Sequence, residues 1–81
     1  MKTARKYLFS KAVEGEGAEN FLKEMREVEG LESIEITEDA KHMIIVAADD
    51  KYTHVLNRAV SIIKRVAGDP DIRFDGFVVI E

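Results

Sequence analysis

Apolar positions along the chain fall into two helical stripes set between shorter runs with strand character. Ala18, Phe21, Leu22, Met25 and Val28 recur at the i, i+3, i+4, i+7 spacing of a one-sided helix. This predicts a helix over 18–29, and Gly30 followed by Leu31 supplies a left-handed stop with an apolar contact back to the last turn. The second stripe holds Tyr52, Val55, Leu56, Ala59, Val60, Ile62, Ile63, Val66 and Ala67, predicting a helix over 51–67. Asp49 or Asp50 is its expected N-cap, and Gly68 and Pro70 end it. Its apolar arc is the wider, so it is expected to be the more buried helix. The strand-like runs are Lys6 to Phe9, Leu31 to Thr37, Met43 to Ala48 and Phe77 to Ile80.

The chain therefore reads twice as strand, helix, strand, first over 5–37 and again over 41–80. That order predicts an α+β fold, a ferredoxin-like split-βαβ plait in one domain spanning 1–81. Its four-stranded antiparallel sheet has the order 4-1-3-2, with both helices on one face and right-handed crossovers. The expected core includes Leu22, Met25, Val28, Val55, Leu56, Ala59 and Ile63. Such a plan leaves function open, because many unrelated activities share it.

The phase of the strands carries the next clue. The run over 31–37 alternates Ile34 and Ile36 with Ser33, Glu35 and Thr37, as an edge strand with one wet face would. Met43 to Ala48 and Phe77 to Ile80 have no polar residue on either face. A strand apolar on both faces is ordinarily covered on both, yet the helices cover only one. The helix-free face then carries either Met43, Ile45 and Ala47 or Ile44, Val46 and Ala48, extended by residues of the last strand and by Tyr7 and Phe9. The expectation is a non-catalytic module for protein–protein contact or self-association through that face. Tyr7, Phe9, Ile45, Val46, Phe77 and Val79 are the candidate interface residues and a weak homodimer the expected assembly.

Composition narrows the classes. The 81 residues are 46% apolar and 35% charged with a net charge of −4, a balance that folds and does not favour a polyphosphate partner. With no cysteine there is neither a disulfide frame nor a thiolate metal site. No apolar stretch reaches the ~20 residues of a membrane span. The basic start at Lys2, Arg5 and Lys6 lacks the apolar core of a secretory signal, so a cytoplasmic setting is expected. The absence of Gln, Cys and Trp beside abundant Glu, Lys and Arg fits a thermostable protein. It fits equally a designed domain whose only property is its fold.

Candidate chemistry is sparse. His42 and His54 flank a strand of some 20 Å and so do not share a metal. Glu14-Gly15-Glu16-Gly17 stands where a phosphate loop would, but its acids repel phosphate, and it reads as a turn before a helix. Asp49-Asp50 and Asp69, Asp71 and Asp75 read as caps and turns. Arg5, Tyr7, Phe9 and Lys11 alternate on one face, which resembles half of the stacking platform in RNA-recognition-motif domains, but Met43 to Val46 bring no ring to the other half. Gly30-Leu31 after the first helix and Asp49-Asp50 before the second resemble the spacing of ACT-type and RAM-type ligand-binding modules, which would imply a small-ligand regulatory role. No catalytic, metal or cofactor residue is assigned.

Overall fold

A computed structural model describes residues 2–68 and 70–80. The element order is β1 (Lys2–Phe9), α1 (Gly15–Met25), β2 (Leu31–Ile36), β3 (His42–Ala47), α2 (Tyr52–Val66) and β4 (Ile72–Ile80). The strands form one antiparallel sheet in the order β2-β3-β1-β4, the expected 4-1-3-2 read from the other edge.

Cross-strand pairing fixes the faces that the sequence leaves open. Tyr7 lies opposite Met43 and Arg5 opposite Ile45, while Ile34 and Ile36 of β2 oppose Ile45 and Met43. These residues share one face, since directly paired residues point the same way. Tyr7, Phe9, Met43, Ile45 and Ala47 form the core together with Phe21 and Met25 of α1 and Val55, Ala59, Ile62 and Ile63 of α2. Both helices therefore cover this face. The helix-free face carries Ala4, Lys6 and Leu8 of β1 and His42, Ile44 and Val46 of β3.

The core expectation is met by Met25, Val55, Ala59 and Ile63, which are buried, whereas Leu22, Val28 and Leu56 are half-buried and pack against its rim. Several boundaries move. α1 starts at Gly15, and Glu14-Gly15-Glu16-Gly17 forms its cap and first turn. The helix ends at Met25 because the Glu27 and Val28 amides bond three residues back, to Glu24 and Met25, tightening the chain before Gly30. Neither Asp49 nor Asp50 caps α2; Lys51 is the N-cap and makes no side-chain cap bond. β1 begins at Lys2, and β4 begins at Ile72 where an irregular turn was expected. Asp69 lies outside the described residues.

Candidate interaction surface

The longest strand, β4, forms an edge of the sheet. Its pairing with β1 runs Ile72 to Phe9, Arg73 to Leu8 and Phe74 to Tyr7, then resumes with Phe77 opposite Arg5 and Val79 opposite Thr3. From Phe74 to Phe77 the strand advances three residues while β1 advances two, so Asp75-Gly76 is a bulge. The bulge resets the phase and places Phe74, Phe77 and Val79 on the helix-bearing face, at its margin. They are 53%, 65% and 59% exposed. Phe74 packs edge-on against Tyr7 at 5.8 Å and against Phe77 at 5.1 Å between ring centroids. One ring thus reaches back to the core while its neighbours face solvent.

The inner border of this strip is the Arg5 guanidinium, which lies 4.1 Å from the centre of the Tyr52 ring. The Tyr52 hydroxyl sits 3.4 Å from the Thr3 carbonyl and 3.5 Å from that of Ile45, fixing the start of α2 over β1 and β3. At the other end of β4, Val60, Pro70 and Ile72 line an open depression rimmed by Ser10, Asp71 and Arg73. Val60, on α2, is itself exposed.

The backbone of β4 is as available as its side chains. The Phe9 amide donates toward β3, to Lys41, and the Ser10 amide toward β4, to Asp71. Alternation then turns the amides of Tyr7 and Arg5 toward β3, and those of Phe74 and Phe77, opposite them, away from β1 to the open edge.

The six sequence-derived interface residues do not share a surface. Tyr7, Phe9 and Ile45 are 3% exposed or less and lie in the core, because the pairing register points them at the helices. This removes Tyr7 and Phe9 as stacking surfaces for nucleobases. Val46 is on the helix-free face but buried. Only Phe77 and Val79 are open, on the opposite side of the sheet from Val46. Phe74 was missed by sequence reasoning, although Ile72-Arg73-Phe74-Asp75 alternates with a period of two and could have revealed a strand.

On the helix-free face, half-buried Leu8, Ile44, Val78 and Ile80 border a polar cluster. His42 places Nδ1 3.1 Å from Asp39 Oδ2 and Nε2 3.3 Å from Asp75 Oδ2, and Lys6 Nζ stands 3.9 Å from the same Asp75 oxygen. Asp39 is held at about 2, against an ordinary 3.8, first by the Thr37 hydroxyl and then by the Lys41 amide, both donating to it. The cluster pins the β2–β3 turn and the β4 bulge to the strands between them. Among the described residues no group of acids and histidines is arranged to hold a metal ion, and no helix is long and apolar enough to cross a membrane.

No protein-family model matches the chain, and no curated protein is similar to it.

Proposed function

We propose that this chain is a non-catalytic protein-interaction module on a ferredoxin-like plait, and that it binds an extended strand along the outer edge of β4. The observation that supports this reading is the coincidence, on one edge, of outward-turned backbone groups with the exposed Phe74, Phe77 and Val79. Strand addition draws affinity from main-chain hydrogen bonds and selectivity from alternate side chains, and β4 offers both. The other edge is built differently: β2 is short and bulged and exposes Glu32, Ser33 and Glu35. Short, acidic, irregular edges are the form in which sheets avoid pairing.

The test is an amide chemical-shift titration with a panel of extended synthetic peptides that alternate aromatic and polar residues. Shifts centred on Phe74, Phe77 and Val79 are expected. Silence across the panel, or shifts centred on Ile44 and Leu8, would overturn the assignment of the surface.

A further inference from the structure

Resting on that reading of β4, we infer that the strand it receives is β4 of a second copy of the chain, paired antiparallel about a two-fold axis at Phe74. A two-fold strand pair must be its own complement on inversion. The segment Arg73-Phe74-Asp75 meets this condition, carrying opposite charges on either side of an aromatic residue. Arg73 and Asp75 both belong to the helix-free side, Arg73 through its pairing with Leu8 and Asp75 through its contacts with Lys6 and His42. With Phe74 opposite the partner's Phe74, Arg73 falls opposite the partner's Asp75 and the reverse holds across the axis, giving two cross-strand ion pairs. The outward-turned Phe74 amide and carbonyl exchange hydrogen bonds with those of the partner's Phe74.

The helix-bearing side fits the same register independently. Because of the bulge, the three residues from Phe74 to Phe77 span two steps of a regular strand, so Phe77 comes opposite the partner's Ile72, beside the partner's Pro70 and the partner's Asp71. Those residues, with Val60, line the open depression beside β4. The most exposed ring of the molecule thereby meets the Val60, Pro70 and Ile72 side of that depression, twice per dimer. β2, by contrast, carries only Glu32 and Glu35 as charged residues, so a two-fold pairing at that edge has no opposite charge to set against them.

Sedimentation equilibrium of the full chain decides, with thermal melts confirming that each variant folds. The wild type is expected to show a monomer–dimer equilibrium, and Phe77→Lys, at a position 65% exposed whose ring packs edge-on against the exposed Phe74, to sediment as a monomer. Arg73→Asp sets two carboxylates against each other at both ends of the axis and is expected to weaken association about tenfold or more. The double variant Arg73→Asp with Asp75→Arg restores opposite charges and should recover most of that loss. A monomeric wild type at the highest soluble concentration would overturn the inference, as would a dimer indifferent to Phe77→Lys and Arg73→Asp, or a folded double variant without recovery. A monomer whose Phe74 and Phe77 amides still respond to extended peptides removes only the second copy as partner. A monomer without that response removes the strand-binding reading as well.

Discussion

Gly30 shows how much of this fold rests on single backbone positions. Its φ of +90° lies where side chains are strained, and a Cβ built there would stand 2.6 Å from Lys51 Cβ, an atom held by the backbone of α2's N-cap. Gly30→Ala should therefore destabilise by on the order of 1–3 kcal/mol in denaturant melts; a loss near zero would mean that the link between Gly30 and Ala48, whose amide donates to the Gly30 carbonyl, is loose. Ala40 has a positive φ of 61° without being glycine, and its carbonyl receives the Val13 amide at 2.7 Å. Glycine at 40 relieves about 1 kcal/mol of strain against the loss of one buried methyl group, so Ala40→Gly should be near neutral, whereas a β-branched residue there should be costly. Asp39, in the same turn, supplies a pH signature. Its folded value is depressed to about 2, so its contribution to stability is complete above about 3.8 and is lost as pH falls through about 2. Thr37→Val removes the strongest donor, and carboxyl NMR should then show the Asp39 midpoint rising toward 3.8. A midpoint already at 3.8 in the wild type would contradict the turn geometry.

At the scale of elements, helices were legible and strand phase was not. The 3.6-residue stripes place Met25, Val55, Ala59 and Ile63 correctly in the core, because a helix buries one side and the period names it. β3 is apolar at every position from Met43 to Ala47, so alternation assigns neither face, and only the register with β1 sends Ile45 inward and Ile44 outward. β4 was legible only from Phe77 onward, since Asp71, Asp75 and Gly76 resemble a turn and the bulge breaks the period that Ile72 and Phe74 begin. The surface that matters for the proposed function was hidden by that one inserted residue. Packing differences should appear directly in stability: Ile63→Ala, at a fully buried position, should cost about 2–5 kcal/mol, and Leu56→Ala, half-buried at the rim, distinctly less. The Arg65–Glu24 bridge between the helices has two-point geometry, with Nη1 3.0 Å from Oε2, but it is exposed. Arg65→Ala should therefore change stability far less than Ile63→Ala does. Equal losses for Ile63→Ala and Arg65→Ala in urea melts would contradict this ranking.

For the molecule as a whole, the sheet leaves two apolar surfaces to distinguish: the helix-free face around Ile44 and Val78, and the β4 edge with its aromatic strip. The first is half-buried by its own neighbours and interrupted by Lys6, His42 and Asp75; the second pairs open backbone groups with the most exposed rings in the chain. A net charge of −4 opposes association of copies, so added salt should strengthen a contact that is mainly apolar while weakening the Arg73–Asp75 pairs only in part. The most direct test is methyl NMR followed through a dilution series and through a titration with extended peptide. The expected result is that Val60, Ile72 and Val79 shift together in at least one series while Leu8, Ile44 and Val78 stay in place. Shifts confined to Leu8, Ile44 and Val78, or none in either series, would contradict the assignment of β4 as the contact surface.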